Sequence, residues 1–189
     1  MTSRPLVLCV VDVPNLNGVS YQAGFYRPNW QAFANWFHRR FVPGLKLGNV
    51  HVAKKAFMNM PLDTDKKMAA QRKKQATELR RAGFEVEVLQ KLEESDDIDH
   101  LVKLTIKEYR VYPELAAVVI LSHDMKNLRG TVRELEVQGI PCTIIGLNGR
   151  IGRRHPFLSG EAHRVVDARD IKGFLNLYRP RTSLSGASR

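Results

Sequence analysis

The sequence predicts an α/β fold: three layers, α/β/α, around a mostly parallel sheet of five to six strands. Strand-like and helix-like patterns alternate along nearly the whole chain. Two of the strand-like segments, Leu6–Val11 and Ala117–Leu121, are continuous apolar runs, as strands covered on both faces require. Between the strands lie segments with apolar residues at helical spacing, which supply the crossovers that parallel strands need.

In order, Leu6–Val11 is the first strand and ends in Asp12. After a loop, 29–41 carries Trp30, Phe33, Ala34, Phe37 and Phe41 on one helical stripe, which Pro43 and Gly44 stop. Asn49–Met58 reads as the second strand. Asp63 or Thr64 caps a long basic helix that ends at Gly83. Phe84–Leu89 alternates apolar and acidic residues, the pattern of an edge strand. A helix over about 97–111 places Ile98, Leu101, Val102, Thr105 and Ile106 on one face. Ala117–Leu121 is the fourth strand, 125–138 a helix closed by Gly139, and Ile140–Ile145 the fifth strand. Arg164–Val166 extends the sheet edge. Right-handed crossovers follow, and ligands of such sheets bind at the carboxyl ends of the strands, where the direction of connection reverses.

The 189 residues suit one domain over 1–178. The segment 179–189, rich in Arg, Ser and Gly, reads as a flexible basic tail. Thirty Lys and Arg against nineteen Asp and Glu leave a net charge of +11. Such a surplus favours a polyanionic partner, because cations that neutralise phosphates release counterions. Cys9 and Cys142 sit in apolar runs, where free buried thiols of a reducing compartment are expected. The Leu6–Val11 run is too short for a signal-peptide core or a membrane span. The expectation is a soluble, intracellular, cytoplasmic protein with no membrane partner.

Directly after the first strand stands Asp12, in Asp12-Val13-Pro14-Asn15-Leu16-Asn17-Gly18; directly after the fourth stand Ser122, His123 and Asp124. If these strands are neighbours, both carboxylates share one sheet edge. Glu93, Glu94, Asp96, Asp97 and Asp99 form a third acidic group at the start of the helix that precedes the fourth strand. Carboxylates converging in one cleft repel unless a cation neutralises them, and hard oxygen ligands favour Mg²⁺ or Mn²⁺ over zinc. Each acid also has a bland reading. Asp124 can cap the next helix, Ser95 can cap the preceding one, and Asp96 and Asp97 suit a helix's first turn. Asn15 and Asn17 can be turn formers. Asp12 is the acid that capping explains least, since it closes a buried strand.

Basic residues are patterned as well. Lys54, Lys55, Lys66, Lys67, Arg72, Lys73, Lys74, Arg80 and Arg81 crowd the second strand and the helix after it. Lys126, Arg129 and Arg133 share a helical face that starts just after Asp124, and Arg150, Arg153 and Arg154 stand with His155 in a Gly-containing loop. Lys54, Lys55, Lys126, Arg129, Arg133, Arg150, Arg153 and Arg154 are the candidate nucleic-acid contacts. Tyr21, Phe25 and Tyr26 are candidates for stacking on bases, whereas the aromatics of 30–41 suit the core. His100 and His123 are weaker candidates for proton transfer or phosphate contact.

These motifs, in this order, resemble the NYN domain family of the PIN-like nuclease superfamily. The resemblance covers about residues 5–175. It rests on Asp12 and Asn15 in Val-Asp-Val-Pro-Asn-Leu-Asn, on Ser95-Asp96-Asp97-Ile98-Asp99, and on Ser122-His123-Asp124-Met125-Lys126-Asn127. Leu128, Gly139, Ile144-Ile145-Gly146, Phe157-Leu158 and 164–167 match the family's continuation. The resemblance implies a metal-dependent endoribonuclease in which Asp12, Asp97 and Asp124 hold Mg²⁺ or Mn²⁺ and activate water against an RNA phosphodiester. Asn15 would orient the water or a phosphate oxygen, and Lys126 with Arg129 would stabilise the transition state. Two positions depart from the family pattern: Lys126 stands where a second Asp is expected, and Lys103 near another. Either lysine binding of phosphate beside one metal ion, or loss of metal affinity, follows from that change. The second expectation is therefore a non-catalytic RNA-binding or scaffold module on the same fold. A toxin-like nuclease held by a protein partner is a variant of the first expectation, and Phe25, Tyr26 and the edge strand offer surface for a homo-oligomer. A Rossmann-type nucleotide enzyme is disfavoured, because no Gly-x-Gly-x-x-Gly follows the first strand and no P-loop occurs.

Overall fold

The computed structural model of the chain describes residues 3–25, 27–61, 66–90, 98–123, 125–147 and 163–176. The elements are β1 (Leu6–Asp12), α1 (Val13–Gln22), α2 (Trp30–Trp36), α3 (Val42–Gly44), β2 (His51–Met60), α4 (Lys66–Arg81), β3 (Glu85–Gln90), α5 (Asp99–Tyr109), β4 (Leu115–Leu121), α6 (Met125–Val137), β5 (Cys142–Gly146) and β6 (His163–Asp167). The six strands form one sheet in the order β3-β2-β1-β4-β5-β6. Every pairing in it is parallel.

β1 is central because all seven of its residues are buried, so neither face nor edge can meet water. Side chains alternate across a strand. Val7, Cys9 and Val11 enter one core with the helices α1, α2 and α4, while Leu6, Leu8 and Val10 enter the other with α5 and α6. That division makes the three layers. On the first face Phe33 sits among Phe37, Phe84 and Phe174 at ring-centroid distances of 5.5, 6.1 and 5.2 Å. Burying one such side chain contributes roughly 1.5–3 kcal/mol. The aromatics expected in the core are there: Trp30, Phe33, Phe37 and Phe41 are all buried.

Two stretches differ from the sequence expectation. The segment after Asp12, read as a loop, is the helix α1. Asn15, Asn17 and Gly18 are poor helix formers, but Pro14 lies in the first turn and Val13, Leu16 and Ser20 are buried along one stripe. The helix of 30–41 is α only as far as Trp36. A π turn over Phe37–Phe41 follows and α3 carries the chain through Pro43 to Gly44, so Pro43 enters a helical turn and does not end one. The expected boundary at 178 and the tail 179–189 lie outside the described residues, as do the capping candidates Asp63, Thr64 and Ser95.

Gly83 and Gly139 close α4 and α6 as expected. Each has a positive φ, +81° and +69°. The amides of Phe84 and Ile140 reach back to the carbonyls of Leu79 and Leu135, the Schellman pattern that satisfies a helix's last acceptors. Beneath Gly83 lies the ammonium of Lys54. It donates to the Ala82 carbonyl at 2.6 Å, approaches His38 Nε2 at 3.1 Å and stands 5.3 Å from the Phe84 ring centre. A Cβ on residue 83 would come within 2.8 Å of that nitrogen.

Gly83→Ala is therefore expected to cost about 1–2 kcal/mol from its left-handed backbone, plus displacement of Lys54; urea denaturation measures it. The two thiols give a second prediction. Burial pushes Cys142 up to about 12 and raises Cys9 further, with Lys54 opposing. Since the thiolate is the reactive form, neither thiol should react with an aromatic disulfide reagent at pH 8 until the protein unfolds. Rapid labelling of native protein would contradict this burial.

Candidate functional site at the sheet edge

The strand order places the reversal of connection between β1 and β4, which are hydrogen-bonded neighbours with Val11 opposite Leu121. From there α1 leaves towards one face of the sheet and α6 towards the other. The crevice between diverging helices at such a reversal is where open α/β sheets bind ligands. Asp12 is the last residue of β1 and Ser122 the first after β4, so the two expected segments do meet at one edge.

Asp12 is 2% exposed. One carboxylate oxygen accepts the Asn15 amide at 3.0 Å, which caps α1, and the other accepts the Ser122 hydroxyl at 3.4 Å. The sequence expectation that capping explains Asp12 poorly is thus corrected: the same side chain that closes β1 also starts α1, a geometry open to it because no residue separates the two elements.

Asn15 is the clip of this edge. Its Oδ1 accepts the His123 backbone N–H at 2.7 Å and the Ser122 hydroxyl at 3.3 Å. A backbone N–H can only donate, so it requires the amide oxygen on that side, which leaves Nδ2 as the end of Asn15 that can meet a ligand. Asn15 can thus donate to a phosphate or a water but has its oxygen committed. His123 continues the chain of contacts: its Nε2 accepts the Leu147 amide at 2.8 Å. That bond makes Nε2 the unprotonated nitrogen and ties the loop after β4 to the end of β5.

Among the acidic group before β4, only Asp99 lies in the described residues. It is buried in the first turn of α5 and accepts Asn127 Nδ2 of α6 at 2.7 Å, so the starts of the two helices are joined. Lys103 stands one turn beyond Asp99 on α5, and exposed Lys126 precedes Asn127 on α6. His100 is exposed on the first turn of α5. Asp97, Asp124, Arg150, Arg153, Arg154 and Tyr26 lie outside the described residues. Asp167 is a buried acid at the same edge that sequence reasoning did not single out. It caps the 3₁₀ turn Ala168–Asp170 and pairs with Arg169, so it serves the fold.

The basic candidates divide. Arg129 is exposed near the start of α6 with Lys126, whereas Arg133 lies a further turn along and borders a separate hollow with Arg110 and Glu134. Lys54 is engaged under Gly83, where burial holds its ammonium below the usual lysine range. Lys55 pairs across the sheet with Glu85. Neither points its charge to the sheet edge that Asp12 occupies. Tyr21 is 79% exposed and Phe25 half-buried. Asn17, read as a turn former, exchanges two 3.0 Å hydrogen bonds with the buried Gln75 of α4.

Carboxylate oxygens suit a hard divalent ion, and the buried Asp12 carboxylate fits one end of such a site. Among the described residues no group of three or more His, Cys, Asp or Glu is gathered to hold a metal; two of the three expected ligands lie outside them. Nor is any described helix long and apolar enough to cross a membrane.

No protein-family model matches the sequence, and no curated protein matches it significantly. Among solved structures, a crystal structure of a protein of unknown function from Vibrio parahaemolyticus is similar in fold. Its TM-score is 0.62 at 21% identity, covering 93% of this chain and 100% of that one. Removing the Asn15 clip tests the edge itself. Asn15→Ala strands the His123 amide and is expected to cost about 1–3 kcal/mol, read by urea denaturation in EDTA so that no metal contributes. Together these findings make the chain a three-layer α/β/α protein with a single all-parallel six-stranded sheet.

Proposed function

We propose that the protein is a divalent-metal-dependent endoribonuclease whose site lies at the β1–β4 reversal. The observation that carries this reading is the buried Asp12 carboxylate, held by two hydrogen bonds at the carboxyl end of a central strand in a chain of net charge +11. Its resemblance to the NYN family, in the spacing of Asp12, Asn15, Asp97 and Asp124, supplies the reaction class. Asp12, Asp97 and Asp124 would hold Mg²⁺ or Mn²⁺, which when bound neutralises phosphate charge and makes a water more acidic.

The chain's own residues then divide the work. Asp12 anchors the site without a rotamer search, because its cap bond to Asn15 holds the carboxylate in place. Asn15 donates through Nδ2 to a phosphate oxygen or to the attacking water. Lys126, in the first turn of α6, adds its charge to the helix's positive end where the phosphate lies. RNA is the substrate class, and unpaired regions are its accessible form, since their bases splay away from the backbone. The two buried free thiols agree with a reducing, cytoplasmic setting.

A second reading, an RNA-binding module without cleavage, is favoured by Lys126 and Lys103, which bring positive charge to both sides of the Asp99–Asn127 contact. One experiment separates the two. Asp12→Asn retains an acceptor for the Asn15 amide, so the fold should survive, while the ligand charge is gone. Labelled single-stranded, hairpin and duplex RNAs, with matched DNAs, are incubated in Mg²⁺, Mn²⁺ or EDTA. Metal-dependent cutting by wild type that falls at least about 100-fold in Asp12→Asn and Asp124→Asn is the expected result. Salt-sensitive binding with no cutting in either metal would replace it with the second reading.

A further inference from the structure

Away from the sheet edge, the segment 27–31 and α4 enclose a groove of about 480 Å³ whose lining includes Arg27, Trp30, Lys74, Glu78 and Arg81. Gln71, Lys74, Glu78 and Arg81 follow one another at three- and four-residue spacing, a single stripe of α4. Arg27 reaches across from the facing segment and donates to Gln71. Lys74, Arg81 and Arg27 are all exposed, and among the described residues none of them forms an ion pair, not even with Glu78 inside the same groove. The groove therefore keeps a surplus of positive charge.

A second guanidinium stands close to that of Arg27. Arg72 is half-buried, donates to Gln75 Oε1 at 3.4 Å, and is depressed in pKa by burial and by the charge of Arg27. Two guanidiniums held near each other, with neutral amide oxygens as their described acceptors, form a pair that an anion would relieve. Trp30, 2% exposed in the groove wall, carries a buried indole N–H with no acceptor among the described residues, although buried indoles usually find one.

We propose that this groove is a phosphate track that holds the backbone of a single RNA strand on its way to the sheet edge. Neighbouring residues link the groove's surroundings to that edge: Asp12 caps α1, Asn17 of α1 bonds Gln75, and Gln75 accepts from Arg72. A concave groove between α4 and the segment that enters α2 suits a single strand's backbone better than the convex surface of a duplex. The three exposed cations supply the phosphate contacts, and Gln71 and Gln75 hold the arginines in place. This inference rests on the reading of RNA as the partner but not on cleavage, and its test separates the two.

The test measures binding of a short labelled single-stranded RNA in EDTA, where no cutting occurs. Wild type is compared with a triple variant, Arg27→Gln with Lys74→Gln and Arg81→Gln, and with a control that removes equal charge elsewhere, Arg39→Gln with Arg40→Gln and Lys107→Gln. All six positions are exposed, and circular dichroism checks that both variants fold. The groove variant should bind at least about 10-fold more weakly, and its log affinity against log salt should flatten by about 2, the contribution of three phosphate contacts on a single strand. The control should retain most of the affinity. In a Trp36→Phe background, where Trp30 is the remaining tryptophan, RNA should shift the emission. Equal losses in the two variants, equal losses for duplex RNA, or no binding by wild type would each overturn the track. Binding is read in EDTA and does not depend on cutting, so failure of cleavage leaves this result intact.

Discussion

The arrangement at the sheet edge depends on burying β1 on both faces between β2 and β4. Six consecutive apolar residues cannot lie at an edge, and a parallel strand in the middle needs hydrogen-bonded partners on both sides. Once β2 and β3 are wound to one side, the chain must cross back to place β4 on the other. α1 and α6 then leave for opposite faces from the strands' carboxyl ends, the place where open sheets of this kind bind ligands. Asp12, the first polar residue after the run, is delivered to that edge by the length of the strand. The loop bonds from Asn15 to His123 and from His123 to Leu147 close the ends of three strands into one unit. The same few contacts therefore set the edge geometry and limit what each side chain can offer a ligand.

How much of this was legible in the sequence follows from the range of each interaction. The strands and the basic helix α4 announce themselves through local pattern, and the fifth and sixth strands fall within a few residues of their expected places. α1 did not. Its buried stripe is only Val13, Leu16 and Ser20, and its anchor is Asn17 with Gln75, a pair 58 residues apart that no local window contains. Lys54 is a similar case. In sequence it is one lysine of a basic run; in the fold it crosses to the end of α4 and is held beneath a glycine whose backbone leaves room for it. The edge residues were legible in kind but not in role. A carboxylate after a buried strand was readable, yet its service as a helix cap required knowing that a helix begins at the next residue.

The charge of +11 is not spread evenly over functions. Lys55, Arg110 and Arg169 are paired with Glu85, Glu134 and Asp167, and Lys54 donates to the Ala82 carbonyl, so they add less to the field a polyanion meets than unpaired cations do. Arg27, Lys74 and Arg81 are exposed and outside any described ion pair, and they lie along one groove. Attraction of a polyanion depends on such unneutralised, clustered charge more than on the total. At the sheet edge the balance is different. Asp12 and Asp99 are each buried and hydrogen-bonded, while Lys103 and Lys126 stand close in sequence to Asp99 and Asn127, at positions where the family resemblance expects aspartates. Exchanging an aspartate for a lysine takes a position from minus one to plus one. Under the proposed reading a phosphate would then be attracted by the chain itself, and less of its charge would be left for a divalent ion to neutralise. Phosphate affinity and metal affinity would draw on the same residues in opposite senses, with Lys126 at the start of α6 setting where that balance falls.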